Sequence, residues 1–162
     1  MTRHGSLAYY LAAWVCGCFF MSLAIWLKDL AGPTVGFISL RSPFGFLIFY
    51  FYGLLLGAVA ALLGGLLLRR AARLAKFHSA WQWALLGAIA APVLTLILGS
   101  FARSAAAQQT PLPGWLNLIS AGPSIVLKAG LWLAAPAGAA TAWVLYRVHR
   151  AFAMPAEGMD AN

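Results

Sequence analysis

Apolar residues in this chain run in long unbroken blocks, and charged positions gather in short clusters between them. Counted between successive Lys, Arg, Asp and Glu side chains, Gly5 to Leu27 spans 23 residues, Ser42 to Leu68 spans 27 and Phe77 to Ala102 spans 26. A helix needs about 20 apolar residues to cross the hydrocarbon of a bilayer, so three membrane helices are predicted. Ser104 to Leu127 is also uncharged, yet it holds Gln108, Gln109, Thr110, Pro111, Pro113, Asn117, Gly122 and Pro123. Backbone interrupted in this way cannot satisfy its polar groups against lipid, and the segment reads as a loop. Ala129 to Tyr146 adds 18 uncharged residues, a full crossing if the helix begins near Ser124 and Lys128 snorkels to the headgroups.

The pattern predicts an all-α, polytopic integral membrane protein. Its single domain, residues 1–150, is a bundle of four transmembrane helices at about 6–27, 44–68, 79–101 and 124–146, followed by a flexible C-terminal tail at 151–162. Composition agrees, because 63% of residues are hydrophobic and only 9% charged, far from the balance of a water-soluble domain. A cleaved signal peptide fits the first block poorly, since the block is longer than an h-region and ends in Trp26-Leu27-Lys28-Asp29.

Charge sets the orientation. Four crossings put both termini on one side together with Arg3, Arg69, Arg70, Arg73, Lys76, Arg147 and Arg150, against Lys28, Arg41, Arg103 and Lys128 on the other. The side richer in Lys and Arg is cytoplasmic, so both termini are expected there, in a multi-pass protein of a cell membrane, bacterial and cytoplasmic. Arg69, Arg70, Arg73 and Lys76 continue the second helix beyond its apolar part, where they are expected to contact acidic phospholipid. Nucleic acid is the other polyanion a net charge of +8 invites. The cations are juxtamembrane and the aromatics lie in apolar spans, so no soluble platform for bases exists.

Lipid gives apolar helices no solvophobic reason to associate, and small residues that allow close backbone approach mark their contacts. Three stripes recur at every fourth position: Gly53, Gly57, Ala61 and Gly65; Gly87, Ala91, Thr95 and Gly99; and Gly130, Ala134, Gly138 and Ala142. They are expected to pack the bundle, with Gly53 to Gly57 also suited to a homo-oligomer. Pro92 and Pro136 lie within the third and fourth spans, where kinks are expected. Ile38-Ser39 and Ile119-Ser120 stand 81 positions apart, half the chain length, a faint trace of two parallel halves.

The spans place no ionisable side chain near the bilayer midplane, which disfavours proton relays, charge-coupled transport and intramembrane hydrolysis. Asp29, Arg41 and Lys128 form a candidate ion cluster at the outer side, most simply a solvated one. Cys16 and Cys18 stand two residues apart on a helix, where their side chains diverge, so they are expected to be free thiols. His4, His78 and His149 share the inner side but read as interfacial side chains, and neither a metal nor a cofactor is expected. The sequence therefore suggests a non-enzymatic scaffold or accessory subunit of a membrane assembly, associating with itself or another membrane protein. The alternative is a small oligomeric transporter or channel.

Overall fold

The computed structural model describes residues 3–31, 43–108 and 113–153. Among these the regular structure is helical: α1 (Arg3–Ala31), α2 (Pro43–Leu56), α3 (Ala58–Leu74), α4 (Ala80–Ala107), α5 (Gly114–Ala129), a single 3-10 turn (Leu131–Leu133) and α6 (Ala134–Ala153). Two helices, over Ser6–Lys28 and Ala80–Ala105, are long and apolar enough to cross a membrane unbroken. Two bent pairs reach that length together: α2 with α3, turned by 67°, and α5 with α6, turned by 108°. Two to four crossings are thus available by length and composition.

The helices are ordered by residue size. On α4, Leu85, Ile89, Leu96, Ile97 and Phe101 are exposed, while Gly87, Thr95 and Gly99 are buried on the opposite face. Leu7, Leu11, Val15 and Phe19 on α1 and Leu55, Val59 and Leu63 on α2 and α3 are exposed in the same manner. An apolar surface this extensive is foreign to a monomeric soluble protein and suits hydrocarbon as solvent, with small residues where helices meet.

Element order repeats along the chain. One unbroken helix is followed by a bent pair, α1 then α2 and α3, and again α4 then α5 and α6. Packing repeats with it, since α1 touches α2 and α3 as α4 touches α5 and α6, and the halves join through α1 on α6 and α3 on α4. Tyr9 near the start of α1 and Trp83 near the start of α4 belong to one buried cluster, so both halves run in the same direction.

Four expectations are corrected by these elements. The interval read as a loop, Ser104 to Leu127, contains the last turn of α4 and most of α5. On helix α5 the Ser120 hydroxyl donates to the Leu116 carbonyl at 2.8 Å, and the helix packs along α4 rather than against lipid alone. The crossing placed at 124–146 is not one helix: Gly130 has φ +131°, a conformation open to glycine and strained for other residues, and the chain turns there. Pro136 accordingly stands in the first turn of α6, where proline is tolerated, and the bend lies upstream of it. Pro92 is inside α4, which continues through it as one helix.

The second span, expected as a single helix over 44–68, bends at Gly57 and extends to Leu74. Helix α5 lies against the break: a Cβ on Gly122 would stand 2.9 Å from the Leu56 carbonyl oxygen. Two backbones meet where α5 crosses the break.

Candidate functional site

Two regions carry polar or open features: one end of the bundle, and the space between its halves. The end is built where α1 and α4 begin and α3 and α6 finish. Helix α3 closes with Lys76 at φ 51°, Phe77 N–H donating to the Ala72 carbonyl at 3.0 Å and Lys76 N–H to that of Arg73 at 3.2 Å. That is a left-handed C-cap of the Schellman kind. Helix α4 then opens with a reciprocal cap, Gln82 N–H donating to Ser79 Oγ at 3.3 Å and Ser79 N–H to Gln82 Oε1 at 3.2 Å. These two devices fix the turn that presents the cations.

Arg70, Arg73 and Lys76 are exposed on this turn and Arg69 is half-buried. The Arg69 guanidinium lies 5.5 Å from the centre of the Tyr9 ring and 5.9 Å from that of Tyr10, within cation–π range. Its Nη1 donates to Ser6 Oγ at 3.3 Å. Beneath it, fully buried Tyr9 donates its hydroxyl to the Gly65 carbonyl at 3.1 Å. Trp83, 2% exposed, stacks on His149 with ring centres 5.5 Å apart, and Tyr146 donates to the His78 carbonyl at 3.0 Å. His149, expected at the membrane interface, is thus packed between rings. The side chain of His4 lies outside the described residues, and among those described no group of His, Cys, Asp or Glu is arranged to hold a metal.

The small-residue stripes face inward, helix to helix within one chain. A Cβ on Gly53 would come to 2.7 Å from Ser22 Oγ, one on Gly57 to 3.1 Å from Cys18 Sγ, and one on Gly65 to 2.8 Å from the Ala13 Cβ. Ala61 stands opposite Gly17. A Cβ on Gly87 would overlap the Gly138 carbonyl and the Ala142 Cβ, one on Gly138 would overlap the Gly87 carbonyl and the Ala91 Cβ, and one on Gly99 would overlap the Leu127 side chain. Ala134 is buried at the start of α6, and Gly130 is the bend itself. The matching stripe on α1, Ala13, Gly17, Cys18 and Ser22, was missed in the sequence although its spacing of four, five and nine was legible. Cys16 is half-buried and Cys18 buried, both as free thiols.

Between these faces lies a half-open cavity of about 430 Å³, lined from all six α-helices. Its wall includes Ala13, Gly17 and Cys18 of α1, Gly53 of α2, Ala60, Ala61 and Gly64 of α3, Gly87, Ala91, Leu94 and Thr95 of α4, Gly122 and Val126 of α5, and Gly138 and Thr141 of α6. Among the described residues no Asp, Glu, Lys, Arg or His borders it. Its hydroxyls are partly committed, Ser22 donating to the Phe49 carbonyl at 3.3 Å and Thr141 to that of Ala137 at 2.7 Å.

At the far end, Trp26 packs against Phe46 with ring centres 5.7 Å apart, and Lys28 Nζ donates to the Ala129 carbonyl, capping α5 where its dipole is negative. Lys128 is exposed in the last turn of α5. The Asp29 side chain and Arg41, its expected partners, lie outside the described residues. No protein-family model, curated protein or solved structure matches the chain.

Proposed function

We propose that the protein is a non-enzymatic integral membrane scaffold or accessory subunit, crossing the membrane four times with both termini and the Arg69 to Lys76 turn on the cytoplasmic side. The observation that carries this reading is the cationic end: Arg70, Arg73 and Lys76 are exposed and Arg69 lies over the Tyr9 and Tyr10 rings, a positively charged foot for an anionic leaflet. Acidic phospholipid binds there, each charge contributing about 1 kcal/mol. A homo-oligomer or another membrane protein joins the bundle through the larger outward side chains, the small-residue faces being spent on packing within the chain.

A second reading, a small oligomeric transporter or channel, is favoured by one specific observation. The cavity lies between two parallel halves and is bordered by both bent pairs, the construction many transporters use for a substrate site. Reconstitution separates the two. Purified protein in liposomes is expected to give no saturable flux across a panel of ions and small metabolites, while mild-detergent extracts retain a stoichiometric second subunit. A reproducible saturable flux replaces the scaffold with the transporter.

A further inference from the structure

The geometry points to an acyl-chain site: the cavity between the two halves takes one hydrocarbon chain of a bilayer lipid, admitted between α2 and α5. The wall decides the chemistry. Glycine, alanine and aliphatic carbons dominate it; of its four hydroxyl side chains, Ser22 and Thr141 are turned to backbone carbonyls, Thr95 is buried and Tyr52 stands at the exposed side. Ordered water needs two to four polar partners, which this wall does not supply in number. An anionic or cationic solute finds no counter-charge on it.

Size separates the apolar candidates. A helix with its side chains is about 10–12 Å across, so 430 Å³ would accommodate roughly one turn, too little to seat a helix from a second copy. A methylene group is close in size to a water molecule, whose share of the liquid is about 30 Å³. The cavity has room for on the order of a dozen, the scale of a fatty acyl chain.

Access completes the assignment. Of the wall residues, Tyr52 on α2 and Ile125 on α5 are 62% and 43% exposed and flank the open side. Both belong to the bent pairs that reach membrane-spanning length together, and in a bilayer the solvent around such a pair is lipid chains. The opposite end is shut by Tyr9, Leu68, Trp83 and Leu145, each no more than 5% exposed. A lipid tail is thus the solvent nearest the mouth and the chemistry that fits the wall. The assignment requires only that the helices span a bilayer, and holds whether the protein is a scaffold or a transporter.

The test is photolabelling of the wild-type protein in liposomes containing a phospholipid with a diazirine in its acyl chain, followed by mapping of the adducts. Adducts are expected on the wall, at Cys18, Met21 or Leu94, and these should saturate near one lipid per protein. Those on the outer face, at Leu55, Leu62 or Val93, should rise with the amount of probe. Ala60→Phe, which projects a ring into the cavity, should reduce wall adducts at least tenfold and leave the outer ones unchanged. A wild-type wall without adducts beside a labelled outer face would overturn the proposal, whatever else fills the space. Wall adducts that never saturate would overturn it too, since they would report annular lipid around a loosened bundle.

Discussion

The cationic end and the middle of the bundle reach close contact by opposite means. At the end, Tyr9, Trp83, His149 and Tyr146 fill space with rings, and the two phenol hydroxyls reach the backbone of neighbouring segments, Tyr9 on Gly65 and Tyr146 on His78. In the middle the side chains withdraw: Gly87 meets Gly138 and Gly122 meets the Leu56 carbonyl, so backbones themselves touch. Large residues seal and small residues approach. The cavity opens among these small faces, beside the break at Gly57. The difference teaches that removing volume should harm the end, whereas adding volume should harm the middle.

Gly87→Leu is the strongest way to break that contrast. Overpacking costs about 1–3 kcal/mol when side chains can give way, but here a backbone carbonyl stands in the path. The loss should exceed that range, and equilibrium unfolding in mixed detergent or recovery of monodisperse protein should show little folded material. Trp83→Ala tests the end with the opposite change. Truncating a fully buried ring costs about 3–5 kcal/mol, and the loss should appear in the same unfolding assay with the variant still recoverable. Tyr9→Phe has the smallest expected effect. It keeps the ring, and with it the seal and the platform under Arg69, but deletes the hydrogen bond to the Gly65 carbonyl, for about 1 kcal/mol. Equal penalties for all three would mean that the two regions are not built differently.

Apolar helices of membrane-spanning length and the cationic turn were legible because both are one-dimensional: uncharged stretches have length, and four cations fall within Arg69 to Lys76. The stripes Gly53 to Gly65 and Gly87 to Gly99 could be seen, but not which helix each would face, because a small residue says that something approaches without saying what. Helix α5 was hidden for a physical reason. Proline, glycine, serine and asparagine mark broken backbone when the alternative is lipid, yet a helix lying along α4 with Ser120 bonded back to Leu116 tolerates them. The bend at Gly130 and the first-turn place of Pro136 follow from α5 and were out of reach without it. The ring stack of Trp83 on His149 joins residues 66 positions apart, a distance no local pattern encodes.

The central claim is that α4 crosses the membrane with the cationic turn inside, and the two ends of that helix test it most directly. Ala75, exposed at the cap of α3, and Gln108, exposed after the last turn of α4, can each be replaced by Cys. The intervening α4 has 28 residues, about 42 Å at 1.5 Å per residue, enough to cross a hydrocarbon core of about 30 Å. The native thiols at Cys16 and Cys18 lie within the α1 span and should contribute little background. With an impermeant thiol reagent on intact cells, Gln108→Cys should label at once and Ala75→Cys only after permeabilisation. Labelling of both positions from the same side, or of Ala75→Cys alone, would contradict the account.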